Sequence, residues 1–480
     1  MTSRKLSILF AIRNTTAFYN YRGIVRSLLL RGHSVKVSFE RFQEDWTDGI
    51  YLEPVKAFQK EHPEFSYDQS QARRDRWFNI LVSVRGMLTY RRFLINADQS
   101  TYYRDRYARY LLWPIRMALR VPVCDMIAKV FLKNRVTEKI LLFVEWIAPP
   151  HAPIREEITR MNPDVVIASA GNLPMTSADI EYLKAAASLS IPAVFPIISW
   201  DYLATKGILP PFIDELLLWN EAQAKEAKTH HHFPEARMRV TGAPYFDDWF
   251  AAHSPSMTRN DFCARHGLRP EDGIVTYLGS SKGMAKDETD LVRGLRSSLD
   301  AHADPAVQRM QIIVRPHPVN AAMYRSLDLR DTIILPAEGS LPDMDESFQL
   351  FYDTLYHSIA AVVGVNTTAV IESIITGKPV VAIVTDEYRK KQRDTIHFRQ
   401  LMSADALYQA PPDGVADVIA SILDGKDSRR EKREAFVAHY IRPRGLERAA
   451  GEYAVDEIER IAEAWRKRNR IINPNLTYER

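Results

Sequence analysis

Two stretches carry side chains that handle phosphate. In the first, an apolar run ends in Arg315 and His317, within IIVRPHP. In the second, AAVVGVNTTAVIES, an apolar run ends in Asn366, Thr367 and Thr368, and Glu372 follows one helical turn later. An imidazole or guanidinium donates to phosphate oxygens, and the free N–H groups that open a helix favour an anion. Arg315 lies two residues before His317, so on a strand the two side chains leave by one face. A transfer that releases a phosphate or diphosphate leaves negative charge behind, and donors of this kind would stabilise it. Plainer readings stand beside this one. Arg315 could pair with an acid at a sheet edge, either threonine could merely cap the helix, and Glu372 could belong to a buried ion pair.

Other residues extend the pattern. Gly279-Ser280-Ser281-Lys282-Gly283 follows the apolar run Ile274 to Leu278. Glycines let a backbone approach phosphate closely and Lys282 adds charge, although a flexible loop would read the same. The run Arg389-Lys390-Lys391-Gln392-Arg393, with His397 beyond it, either closes over a ligand or is a solvated charge run. Near the N-terminus, Arg13 and Asn14 end a strand-like run, Leu6 to Ile12, and suit positioning of a substrate. A base able to deprotonate a hydroxyl must lie within hydrogen-bond reach of it. Asp201, in Ser199-Trp200-Asp201, is the first candidate, with Glu40, Glu145 and Glu221 as rivals. Each of these could instead cap a helix or pair with a cation. Two other patterns are discounted. Asp343-Met344-Asp345 has metal-motif spacing but sits before a helix that Asp345 could cap. His230-His231-His232 reads as a helix C-terminus, where neighbouring side chains diverge.

The elements that must position these residues are alternating strands and helices. The stretch 360–384 reads as strand, polar turn, short helix, Gly-Lys-Pro break and strand, a crossover that belongs to a parallel sheet. Ligands of such sheets bind beyond the carboxyl ends of the strands. The first half opens β-α-β but lacks GxGxxG, so no dinucleotide cofactor is expected. The chain has 480 residues, too many for one core. The expected division is 1–244, an N-terminal Rossmann-like domain with a helical insertion at about 44–150; 245–272, a linker; 273–440, a second Rossmann-like domain; and 441–480, a helix packing back on the first. Strand ends such as Ser169-Ala170-Gly171-Asn172 mark the ligand side.

Within the insertion, arginines crowd between Arg73 and Arg120 among aromatics, with Asp75, Asp98 and Asp105 as the acids. This is either a solvated basic face or a surface for anionic lipid or an anionic acceptor. Net charge is only +4 and no nucleic-acid module is recognised, so nucleic acid is not expected. Two distant cysteines, Cys124 and Cys263, imply no disulfide and a cytosolic setting. No signal peptide or transmembrane run is read.

RPHP (Arg315 to Pro318), GVNTTAVIESIITGKPVV (Gly364 to Val381), VTGAPYFD (Val240 to Asp247) and HFRQL (His397 to Leu401) together resemble the capsule-polysaccharide, CDP-glycerol glycerophosphotransferase and Kdo-transferase-like group with an HP motif. The resemblance covers the C-terminal half well and the N-terminal half only as a fold pattern. It implies an α/β GT-B fold, two Rossmann-like domains facing a cleft. It also implies a metal-independent glycosyltransferase, or a glycerophosphate-type transferase. The donor would be a nucleotide-sugar and the acceptor a cell-surface polysaccharide or lipid-linked glycan. Its donor subsite would comprise Gly279, Ser280, Ser281, Lys282, Arg315, His317, Asn366, Thr367, Thr368 and Glu372, the last on a ribose hydroxyl. Arg13 and Asn14 would meet the acceptor, and His317 and Asp201 would be catalytic. The setting would be the cytoplasm or the inner face of the plasma membrane. Two alternatives stay open: a UDP-sugar 2-epimerase on the same fold, whose set of acids cannot be assembled here, and a non-catalytic nucleotide-sugar-binding protein.

Overall fold

The structure, a computed structural model, describes residues 4–41, 48–70, 72–96, 100–168, 178–251, 254–339, 341 and 344–472. The chain divides into two compact units, Met1–Asp247 with Tyr440–Arg480, and Asp248–His439.

All the described strands pair in parallel, and continuous apolar runs such as β4 and β5 form the central ones, buried on both faces. The strands of the first unit are β1 (Ser7–Asn14), β2 (Ser34–Arg41), β3 (Phe65–Gln69), β4 (Val165–Ala168), β5 (Ala193–Pro196), β6 (Glu215–Leu218) and β7 (Met238–Val240). Their spatial order among the described residues is β3-β2-β1-β4-β5-β6-β7. The two-residue period of a strand splits β1 between two cores. Ile8, Phe10 and Ile12 join one, and Leu9 and Ala11 the other. In the second unit the strands are β8 (Ile274–Leu278), β9 (Gln311–Arg315), β10 (Thr332–Ile334), β11 (Ala360–Val363), β12 (Val380–Ile383) and β13 (Tyr408–Ala410), ordered β10-β9-β8-β11-β12-β13. Both sheets thus run outward in each direction from their first strand. This is the Rossmann order, with a switch point beside β1 and another beside β8.

The stretch expected to be wholly helical contains β3. Its sequence, FSYDQ, buries Phe65 and pairs in parallel with β2, while Asp68 accepts from the Ser38 hydroxyl at 3.0 Å. It is an edge strand, half polar, and so lacks the apolar run that marks the central strands. Helices Trp77–Ile95, Thr101–Tyr107, Trp113–Ala118, Pro122–Lys133 and Arg135–Ile147 follow, around a small core that includes Val84, Leu88, Leu132 and Leu141.

The basic face anticipated between Arg73 and Arg120 is smaller than expected, because four of its arginines are buried while Arg74, Arg76, Arg109 and Arg120 stay exposed. Arg85 binds both Glu145 oxygens (3.0 and 2.8 Å) and Glu181 (2.7 Å). Arg73 reaches Glu181 at 2.7 Å and Asp75 at 2.9 Å. Arg91 pairs with Glu138 at 2.9 Å. Arg92 donates to the carbonyls of Leu203 and Lys206 and lies over the Phe93 ring. No helix among the described residues is long and apolar enough to cross a membrane.

The expected linker 245–272 packs instead into the units that flank it. Thr258 caps the helix Arg259–His266, whose Phe262 and Cys263 join Ile274 and Ile313 in a core of the second unit. The tail is not one helix. Arg442-Pro443-Arg444-Gly445 interrupts it, with Gly445 at φ +112°, a conformation proline and an L side chain would not propagate as helix. The helix Ala450–Ile472 then packs on Arg22–Leu30 in the first unit. A Cβ on Gly451 would sit 2.6 Å from the Gly23 carbonyl oxygen. Arg31 bridges to Asp456 (2.7 Å) and Glu459 (2.9 Å). Residues 473–480 lie outside the described residues.

Candidate functional site

In the second sheet, Leu278 is in register with both Arg315 and Val363. The carboxyl ends of β9, β8 and β11 therefore lie side by side at the switch point. Arg315 and His317, Gly279 to Lys282, and Asn366 to Thr368 share that one edge.

Gly279 is required by packing. Its N–H donates to the Arg315 carbonyl at 2.9 Å, and a Cβ would come within 2.7 Å of the Tyr324 hydroxyl. Ser280 is fully buried. Its N–H donates to Glu288 Oε1 at 2.5 Å, its hydroxyl accepts the Asn366 N–H at 3.2 Å, and its carbonyl accepts from Asn320 at 3.2 Å. Ser280 thus ties β8 to β11, with its N–H, hydroxyl and carbonyl all engaged within the protein. Ser281 and Lys282 lie further out. The Ser281 carbonyl closes a turn by accepting from Met284 and Ala285, and Lys282 is exposed.

Glu288 and its partners escaped sequence reasoning. It also accepts from Tyr324 (2.6 Å) and Tyr277 (3.2 Å), and burial raises its pKa against those donors. The only local signal was an acid at the start of helix Thr289–Ala301. Its partners are scattered along the chain, which is why no motif revealed them.

His317 caps the 3-10 turn Pro318–Ser326 through Nδ1, which accepts the Val319 N–H at 3.3 Å. The ring proton is therefore assigned to Nε2. Burial, with the charge of Arg315 adding to it, pushes the imidazole down to about 4. At neutral pH His317 is an uncharged N–H donor. Arg315 does not simply project; its guanidinium lies 3.9 Å from the centroid of the Phe351 ring.

Asn366 donates to His397 Nε2 at 2.8 Å, while its own Oδ1 is buried without a hydrogen-bond partner among the described residues. Thr367 and Thr368 are half-exposed. The Thr367 hydroxyl accepts weakly from the Ala369 N–H (3.5 Å), and Thr368 makes no side-chain cap. The helix they open, Ala369–Ile375, has only seven residues, so individual N–H groups and hydroxyls matter more than a summed dipole. Glu372 is buried one turn along. Gly-Lys-Pro is a structural break. Gly377 has φ +75°, and Lys378 Nζ donates to the Tyr356 and Ser358 carbonyls, each at 2.9 Å.

The run 389–393 is built into the same edge. Gln392 is fully buried and donates to the carbonyls of Ile383 (2.9 Å) and Gly364 (3.3 Å), and Lys391 Nζ holds the Met284 carbonyl at 2.6 Å. The run is anchored at Lys391 and Gln392, while Arg389 and Lys390 are exposed, as a solvated charge run would have them.

In the first unit, Asn14 at the end of β1 caps the turn Thr15–Asn20, accepting the Ala17 N–H at 3.1 Å. Arg13 is half-buried, and its Nη1 has no partner among the described residues. Asp201, after β5, accepts from the hydroxyls of Ser199 (2.6 Å) and Thr205 (2.8 Å) and lies 3.5 Å from Lys206 Nζ. Each of its oxygens keeps a further lone pair with which it could accept from a substrate hydroxyl. Glu145 is buried between Arg85 and Lys184, which removes it from contention. Glu221 is exposed in the first turn of helix Glu221–His231, and Glu40 accepts the Ala178 N–H at 3.1 Å. His232 is the left-handed cap that ends Glu221–His231, and His231 accepts the Leu209 N–H. Ser169 to Asn172 and Asp343 lie outside the described residues.

No family model matches the chain, and no curated protein matches it by sequence. Solved structures do resemble it. A glycosyltransferase from Rickettsia africae ESF-5 is 12% identical with a TM-score of 0.51, covering 96% of this chain and 99% of that one. The UDP-GlcNAc 2-epimerase from Methanocaldococcus jannaschii is 11% identical with a TM-score of 0.50, covering 94% and 99%. The wall teichoic acid polymerase TagF, 10% identical over 97% and 91%, has a TM-score of 0.47, too low to argue from. At these identities the likeness concerns the fold, which is GT-B: two α/β units with parallel sheets.

Proposed function

We propose that the chain is a nucleotide-dependent transferase of the GT-B type. It would move a sugar, or a glycerophosphate-type group, onto a polysaccharide or lipid-linked acceptor of the cell envelope. The observation that carries this reading is the donor edge of the second unit. There a neutral imidazole N–H, two hydroxyls that are half-exposed and an exposed lysine meet at a Rossmann switch point. His317 Nε2–H and the hydroxyls of Thr367 and Thr368 would hold the departing phosphate, with Lys282 and Arg315 supplying positive charge. Glu372 would take a ribose hydroxyl. In the first unit Arg13 and Asn14 would position the acceptor and Asp201 would accept its proton.

The groups proposed to meet the phosphate itself are N–H, O–H and cationic, a set that can hold it without a bridging metal. A 2-epimerase, the other enzyme class on this fold, needs several acids around the sugar. Glu288, one of the two acids named at this edge, is already engaged by two tyrosines and a backbone N–H.

The test is a thermal-shift panel of CMP, CDP, UDP, GDP and their sugars, since a ligand that binds the folded state raises its melting temperature. At least one nucleotide should raise it, with or without EDTA, and His317→Ala should abolish the rise. Silence from every nucleotide would return the chain to a non-catalytic role. Release of an epimerised nucleotide-sugar, with no acceptor modified, would favour the epimerase.

A further inference from the structure

Helices Pro122–Lys133 and Arg135–Ile147 each bury one side on the small core, through Leu132 and through Leu141, with Ala128 buried on the same side of the first. Their opposite sides are also apolar. Val123, Ile127 and Val130 on the first, and Val136, Ile140 and Phe143 on the second, recur at the same four-then-three spacing and are all exposed. Trp113, 65% exposed, and Trp146, 70% exposed, add aromatic rings, and Trp146 stacks on Phe143. Soluble proteins rarely leave so much contiguous apolar surface to water.

Charge says what covers it. From Arg106 to Lys139 the chain carries Arg106, Arg109, Arg116, Arg120, Lys129, Lys133, Arg135 and Lys139. The acids there are Asp125, paired with Lys129 at 2.6 Å, and Glu138, paired with the buried Arg91. A second copy of this chain would bring the same positive charge to the contact and be repelled. An anionic bilayer complements both features, with apolar side chains entering the acyl boundary, cations meeting headgroups and tryptophans lying at the interface between them.

We infer that the outer face of helices Trp113–Ala118, Pro122–Lys133 and Arg135–Ile147 docks the protein on an anionic lipid surface, lying on the bilayer without crossing it. The inference is independent of the donor-site reading. It replaces the arginines at 73, 85, 91 and 92 as the lipid contact, since those are buried in ion pairs and carbonyl contacts. The same burial anchors the platform, because Arg85 joins Glu145 on Arg135–Ile147 to Glu181 on helix Ala178–Ser188.

The experiment is co-sedimentation of the full chain with vesicles of phosphatidylcholine alone or mixed with phosphatidylglycerol. Wild type should bind the anionic vesicles several-fold better than the neutral ones and lose much of that advantage in high salt. The combined variant Ile127→Ser, Val130→Ser, Ile140→Ser, Phe143→Ser should lose binding while keeping the wild-type melting temperature. Arg116→Gln, Arg120→Gln, Lys133→Gln, Lys139→Gln should lose the salt-sensitive part. Should the serine variant not fold, quenching of tryptophan fluorescence by brominated lipid, lost in Trp113→Phe, Trp146→Phe, gives the same answer. Three results would overturn the proposal: wild type left in the supernatant with anionic vesicles at low salt, serine-variant binding equal to wild type, or a self-associating chain whose dimer the serine variant dissolves and which ignores vesicles.

Discussion

His317 keeps its proton on one nitrogen by giving up its charge. Removal from water disfavours the imidazolium, and the guanidinium of Arg315 disfavours it further, so the folded protein holds the ring at about 4 against an ordinary value of 6.5. Between those values the unfolded chain binds more protons than the folded one. The contribution of His317 to stability is therefore complete above about pH 6.5 and is lost as pH falls toward and through 4. Melting temperature should decline over that window, and His317→Gln, which cannot titrate, should make the decline shallower. An unchanged slope in the variant would mean that the folded protein leaves the ring at its ordinary value. Glu288 shows the opposite device, a carboxylate kept in place by two tyrosine hydroxyls and the Ser280 N–H. Through the Ser280 N–H it holds the start of the loop that carries Ser281 and Lys282.

At the scale of elements, the helical insertion is joined to the first sheet by charge as well as by apolar packing. Arg73, Arg85, Glu145, Glu181 and Lys184 form one buried group across Trp77–Ile95, Arg135–Ile147 and Ala178–Ser188. Burial alone would raise the Glu181 pKa, but Arg85 and Arg73 hold it below its ordinary value. Removing one member strands buried charge, so Glu181→Ala should cost about 3–5 kcal/mol in urea unfolding of the first unit, and Glu181→Gln somewhat less. A loss near zero would mean that water reaches the group. This network explains what the sequence could and could not tell. Composition and the interrupted strand–helix alternation placed the insertion, but no local pattern distinguishes an arginine that meets solvent from one that meets Glu145 or Glu181 far along the chain. The central strands were legible because Ile8 to Ile12 and Ile312 to Val314 are unbroken apolar runs and Ile274 to Leu278 is broken only by Thr276. The edge strand β3 was hidden by its Ser and Asp. RPHP and NTT were legible because strand ends gather polar side chains, whereas Tyr324 and Asn320 serve that edge from positions with no local signature.

Across the whole molecule, the chain leaves the first unit after Asp247 and returns at Tyr440. The two crossing points are held together inside the first unit. The Ala243 N–H donates to the Ile441 carbonyl at 2.9 Å, and one Asp247 oxygen accepts from Arg442 at 2.8 Å and from the Ala450 N–H at 2.9 Å. A segment whose ends emerge side by side from an intact host is built as an insertion, and such segments can be excised with little loss to the host core. The cores support this, since Phe10, Leu28 and Ile458 close one in the first unit and Val275, Val362 and Val381 another in the second. Replacing 248–439 by a short Gly/Ser linker should therefore leave a folded first unit, and 248–439 expressed alone should fold and retain any nucleotide response. In the intact chain, calorimetry should resolve two transitions, with a bound nucleotide at a hundred times its dissociation constant stabilising only one of them, by about 2.7 kcal/mol. A single transition that moves as a whole with nucleotide, together with an excised segment that fails to fold, would show that the units depend on each other for stability and that the insertion is only topological.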